Sequence, residues 1–184
     1  MLEKIKIRVR QADMADIALL IKWMGEEDFQ NNVFHSAAGD YGSYEKSAEF
    51  MIKTSKGDCP VNKLYIIDTD KPLGMIFMHN IDWKNKNLYF SVVVGEAGSK
   101  NKIFGLKIFA EALRLSFETL GMHKVKGLVY SNNTNAIRLI EAFGGEREGV
   151  LKEYKKIGST KYDAILYCFF RAKYSQFTDK LANY

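Results

Sequence analysis

Between Leu88 and Leu120 the chain places an apolar run, LYFSVVV, ahead of the loop GEAGSKNKIFG and the periodic stretch LKIFAEALRLSFETL. These residue types read as a strand, a loop able to receive an anion, and a helix. The first backbone N–H groups of a helix have no partner inside it, and the helix dipole adds partial positive charge there, so phosphate is favoured at that point. Lys100, Lys102 and Lys107 surround the expected helix start, and Gly105 at that start has no Cβ to hold a ligand away from the main chain. The unit suits a phosphorylated cofactor, although a strand, loop and helix with merely solvated lysines has the same letters.

Other chemistry is sparse. Cys59 and Cys168 lie far apart and match no C-x-x-C spacing, so they read as reduced thiols rather than metal ligands or a redox pair. No metal site is expected. A net charge of +5 can steer an acidic partner, but the lysines are dispersed, and the one basic tract, KEYKKIGSTK from Lys152 to Lys161, reads as a solvated hairpin. The segment MLEKIKIRVR alternates apolar and charged residues and offers no signal-peptide core, and no apolar run reaches the ~18 residues that a membrane span needs. The expected setting is the cytoplasm, with no membrane partner.

The elements that must position the Leu88 unit follow from periodicity. Ile5 to Arg10 alternates as a half-buried strand, and Asp13 stands as N-cap to a helix carrying Ile17, Ala18, Leu20 and Ile21 and reaching about Met24. Gly25 to Gly42 is polar and glycine-dotted, an irregular loop on the substrate side. Ser43 caps a second helix, Tyr44 to Ser55; Leu64–Asp68 and Leu73–Ile81 form an antiparallel hairpin around TDKP. After the helix ending near Gly121, KVKGLVY reads as a strand, Asn133 to Phe143 as a helix, and GEREGVLKEYKK and KYDAILYCFF as a last strand pair. The tail from Ala172 frays or adds a short element. One domain of 184 residues is expected, an α/β (α+β) mixed sheet of about seven strands flanked by helices, whose Leu88 and Val125 strands are parallel neighbours joined by a right-handed crossover.

With this order, nearly the whole chain resembles the GNAT superfamily of acetyl-CoA-dependent N-acetyltransferases, particularly the branch holding ribosomal-protein N-terminal and spermidine acetyltransferases. The family's pyrophosphate loop, Gln or Arg, two residues, Gly, one residue, Gly or Ala, falls on Lys100, Asn101, Lys102, Ile103, Phe104 and Gly105. Ile103 replaces a glycine, and a β-branched residue does not take positive φ comfortably. The second signature falls on Asn133, Ala136, Ile140, Gly144, Gly145, Glu148 and Gly149. The resemblance implies that Asn133 contacts the pantetheine arm; capping the helix that follows is an equally good role for it, and the two are compatible. Ile140 stands where the family commonly has the tyrosine that protonates the departing thiolate.

The resemblance also implies a fold, a cosubstrate and a reaction: acetyl-CoA as donor, and direct attack by a primary amine (polyamine, peptide or protein N terminus, or amino sugar) in a ternary complex. Backbone N–H groups of the Ser91 to Val94 strand, hence Val92, Val93 and Val94, are expected to hold the thioester. Tyr130 is the candidate substitute for the missing acid. Glu26, with Glu27, His35 and His79, is a candidate base; so is a water chain. A non-catalytic CoA-binding or sensing domain is the competing expectation, since Ile140 and Ile103 depart from the pattern. A nucleic-acid-binding domain is disfavoured, as no clustered basic and aromatic face is visible. A homodimer through a strand edge is compatible with the family.

Overall fold

The computed structural model describes residues 7–27, 29, 43–58, 60–95 and 102–182. Strand β1 (Arg8–Gln11) leads through a 3-10 turn (Met14–Asp16) into α1 (Ile17–Gly25). The Asp13 side chain accepts from Ala15 N at 2.8 Å, and the Asp16 carboxylate accepts from Asp13 N at 2.9 Å, a reciprocal cap. The expected start signal therefore works, but the first turn is 3-10. Ser43 caps α2 (Tyr44–Lys53) by accepting from Lys46 N.

Strands β2 (Lys63–Asp68), β3 (Pro72–Asp82) and β4 (Asn87–Val94) make an antiparallel meander. β3 sits in the middle and is buried on both faces, which is why PLGMIFMHNI reads as a continuous apolar run rather than an alternation. Helix α3 (Lys102–Arg114) continues into a π-helical turn (Leu115–Thr119); then follow β5 (Lys124–Tyr130), α4 (Thr134–Ala142), the long hairpin β6 (Glu146–Ile157) and β7 (Thr160–Phe170), and α5 (Tyr174–Ala182). The tail thus forms a helix, and Phe177 anchors it in the core against Phe109 and Phe143.

The seven-stranded sheet runs β1-β2-β3-β4-β5-β7-β6, with β4 and β5 the parallel pair. Its two faces are covered differently. α1 and α2 pack on one through Leu20, Trp23, Ala48, Met51 and Ile52 against Leu64, Ile66, Met75, Phe77 and Val93. α3, α4 and α5 pack on the other through Ile108, Phe109, Ile140 and Phe177 against Ile76, Met78, Phe90, Val125 and Phe169. Among the described residues no helix is long and apolar enough to cross a membrane.

Candidate active site

The parallel ladder between β4 and β5 is short. It pairs Asn87 with Lys124, Leu88 with Val125 and Tyr89 with Lys126, and no pair follows, although β4 runs on to Val94 and β5 to Tyr130. The two strands therefore diverge beyond Tyr89. On its other side β4 stays paired with β3 as far as Gly74 and Val94, and Gly95 N donates to Leu73 O at 2.7 Å. In an antiparallel ladder, alternate residues turn their N–H and C=O to the same neighbour. Gly95, Val93 and Ser91 thus serve β3, and Phe90, Val92 and Val94 turn toward β5. With the β5 ladder finished at Tyr89, the main-chain N–H of Val92 faces the gap.

That gap is a cavity of about 180 Å³ lined by Phe90, Ser91 and Val92 of β4, Gly105 and Phe109 of α3, Gly127, Leu128 and Val129 of β5, and Asn133, Ala136, Leu139 and Ile140 at and in α4. α3 begins at Lys102, three positions before Gly105, so Gly105 lies in the first turn rather than before it. Among the described residues a Cβ at Gly105 would meet nothing nearer than Val94 Cγ2 at 4.0 Å, and Gly105 lines the cleft at the anion-favouring end of α3. Ile103 is the second residue of α3, so its backbone belongs to a helix rather than to a glycine-type turn.

The end of α4 fixes the far wall. Gly144 N donates to Glu141 O and Gly145 N to Ile140 O, at 3.1 and 2.8 Å, the bonding of a Schellman motif, and Gly144 supplies the required positive φ of 86°. A Cβ on Gly145 would come within 2.3 Å of Ile140 Cγ2. The glycine pair thereby lets Ile140, 7 % exposed, pack against the cleft. At the other end of the helix the Asn133 side chain accepts from Ala136 N at 3.1 Å while the residue lines the cavity, so capping and cleft position coincide.

The residues expected from sequence sort unevenly. Val92, Gly105 and Asn133 meet at the cleft. Val93 does not: the pleat turns it into the core beneath α1 and α2, and its main chain serves β3. Val94 is 37 % exposed at the rim. Phe104 is half-buried in the first turn of α3, Lys102 and Ile103 open that helix, and Lys100 and Asn101 lie outside the described residues, as do His35 and Cys59.

The three catalytic candidates are scattered, and none lines the cavity. Tyr130 is 3 % exposed at the end of β5, its ring beneath the Lys155 ammonium at 5.2 Å. His79 is 6 % exposed on β3, stacked between Phe77 and Tyr89 at 5.3 and 5.6 Å, and burial, with Lys126 adding repulsion, lowers its pKa to about 4. It is neutral at pH 7. Glu26 is the half-exposed C-cap of α1, its N–H donating to Trp23 O. Sequence reasoning missed Phe90, Phe109, Gly127, Leu128, Val129 and Leu139. Ala136, Leu139 and Ile140 share a helical face at the usual spacing, a legible signal, whereas the β5 residues become lining only because the ladder stops.

A model of the acetyltransferase (GNAT) domain matches residues 6–146. The chain belongs to the GNAT acetyltransferase family. It is 25% identical over 100 residues to the uncharacterized N-acetyltransferase YoaA of Bacillus subtilis, spanning 54% of this chain and 56% of that protein. It is 19% identical over 172 residues to the uncharacterized N-acetyltransferase p20 of Bacillus licheniformis, spanning 92% and 96%. Among solved structures, the spermidine N-acetyltransferase of Vibrio cholerae in complex with CoA and spermine superposes with a TM-score of 0.79 at 19% identity, covering 92% of this chain and 98% of that one. The shared fold includes the mixed seven-stranded sheet.

Proposed function

We propose that this GNAT protein transfers the acetyl group of acetyl-CoA to a primary amine by direct attack in a ternary complex. The observation that carries the reading is the divergence of β4 and β5 after Tyr89 and Lys126, which opens a slot beside the first turn of α3. The residues present fit the cosubstrate. Main chain at Gly105 and the start of α3 would take the pyrophosphate, Asn133 and the Ala136 face of α4 would flank the pantetheine, and the Val92 N–H would polarise the thioester carbonyl. Bound acetyl-CoA supplies an activated acyl group whose thiol is a stable leaving group near neutral pH.

Ile140 occupies the wall where an acid would stand and has no proton to give. The departing thiolate therefore leaves without a side-chain acid there, at a cost bounded by the ~100 to 10,000-fold that general acids typically contribute. The amine loses its proton to water in the open groove, with neutral His79 and Tyr130 shaping the surroundings rather than touching the reacting atoms.

Among the described residues no group of three or more His, Cys, Asp and Glu side chains could hold a metal ion, and no step here requires one. The reading includes a cytoplasmic setting and a homodimer through edge strand β6, whose Val150, Leu151 and Tyr154 are exposed; light scattering on the eluting protein tests the latter. Thiol release from acetyl-CoA over a panel of amines tests the transfer. Amine-dependent release is expected; binding without release from any amine would favour a CoA-sensing domain instead.

A further inference from the structure

On the face opposite α3 and α4, the side chains over the diverging strands form a strip that is half-exposed at its centre. The register puts His79, Tyr89, Lys126 and Cys168 in one row across β3, β4, β5 and β7, and the pleat adds Ser91 and Leu128 to the same face. α1 and α2 cover this face only as far as Phe77 and Val93; Tyr89, Ser91, Lys126 and Leu128 are half-exposed. Ser91 and Leu128 also line the cleft, so strip and cleft meet there. An acceptor laid on the strip reaches the thioester from the side away from α3.

Among the described residues two ammonium groups stand on this strip. Lys126 Nζ sits 4.2 Å over the Tyr89 ring, and among the described residues it makes no ion pair. Burial lowers its pKa, and the neighbouring Lys124 adds repulsion. Among the described residues the carboxylates that attract Lys126 are Glu148 and Asp82, and both have other partners: Glu148 pairs with Lys124, and Asp82 accepts from the main-chain and side-chain N–H groups of Asn85. A second ammonium, Lys155, lies over Tyr130 farther along β5. It is aimed there by a bulge in which residues 152–154 of β6 stand opposite Asp163, and Asp163 secures that bulge by accepting from Glu153 N and Lys152 Nζ at 2.9 Å. Glu26 and Glu27, which could attract a cationic acceptor, are at the end of α1 and do not line the cleft.

We propose that the acceptor carries an anionic group, carboxylate or phosphate, near its amine, and that Lys126 and Lys155 bind that group. This rests on the acetyl-transfer reading and narrows its substrate class. The half-buried Lys126 ammonium, seated on the Tyr89 ring and outside any ion pair among the described residues, gains when an anion replaces its lost water, whereas a polyamine laid on the same strip meets like charge there.

The test compares kcat/KM in thiol release for matched amines: a glutamyl dipeptide against its glutaminyl analogue, glucosamine 6-phosphate against glucosamine, and spermidine alone. The wild-type protein should favour one acidic member over its neutral analogue by about tenfold or more, the two pairs telling carboxylate from phosphate, and the ratio should shrink in about 0.5 M salt. Lys126→Met should reduce the ratio through KM, with calorimetric affinity for acetyl-CoA retained; Lys155→Met gives the same readout should the first variant fail to fold. Spermidine outrunning every acidic amine, or a ratio untouched by both variants, would overturn the proposal while leaving acetyl transfer standing. Acetyl-CoA binding with no release from any amine would remove the transfer reading itself, and this proposal with it.

Discussion

His79 shows how burial decides the chemistry of a single residue. Its pKa near 4 in the folded chain lies below the value of about 6.5 it has when exposed. The unfolded state then binds more protons between those values, so stability is full above about pH 6.5 and is lost as pH falls toward 4. The loss is of order 3 kcal/mol. Urea midpoints at pH 7 and pH 5 should therefore differ, and His79→Gln should flatten that difference; a slope unchanged in the variant would assign it elsewhere. The same residue bears on the mechanism, since a pH–rate profile that keeps its shape in His79→Gln is expected if water takes the amine proton. The candidate base was legible in sequence as a residue type, but its burial between Phe77 and Tyr89 was not, because stacking across β3 and β4 depends on register. Gly105 is the sharper case. A Cβ there has room, so Gly105→Ala should fold and bind acetyl-CoA, whereas Gly105→Glu places an anion where phosphate is favoured and should weaken binding by at least about tenfold in calorimetry.

Among the elements, α4 and the end of β4 carry the site. Asn133→Ala removes the N-cap of α4 and should cost about 1 kcal/mol in denaturant unfolding, and Asn133→Ser should restore most of that stability. If Asn133 also touches pantetheine, acetyl-CoA affinity will stay reduced in the serine variant; recovery of both would leave it a cap alone. At the end of β4, a Cβ on Gly95 would fall 2.1 Å from Trp23 Cε2, so Gly95→Ala must displace the buried indole and should destabilise by about 1–3 kcal/mol. An unchanged denaturation midpoint would show that Trp23 gives way freely. Boundaries such as β5 at KVKGLVY and the capped starts of α2 and α4 could be read from letters because local signals set them, whereas the Asp13 cap starts a 3-10 turn and α1 only follows at Ile17. The selection of Val92 over Val93 could not. It follows from which residues β3 engages, and that register is fixed by contacts remote in sequence.

For the whole molecule, the order of strands and helices, together with the parallel pair around α3, was legible from periodicity and the crossover rule. The divergence of that pair was hidden, since nothing in YFSVVV or KGLVY announces where a ladder stops. It arises because β4 remains bound to β3 through Val94 while β5 turns to β7 through Tyr130, each strand following its other neighbour. The slot between them, floored by cationic side chains on one face and overlaid by α3 and α4 on the other, is what unites fold, cosubstrate and acceptor. Its direct test is calorimetric titration of the protein with acetyl-CoA. A one-to-one complex of about micromolar affinity, weakened in Gly105→Glu, is predicted. Absence of binding at millimolar acetyl-CoA by the folded wild-type protein would contradict the assignment of the β4–β5 cleft as the cosubstrate site.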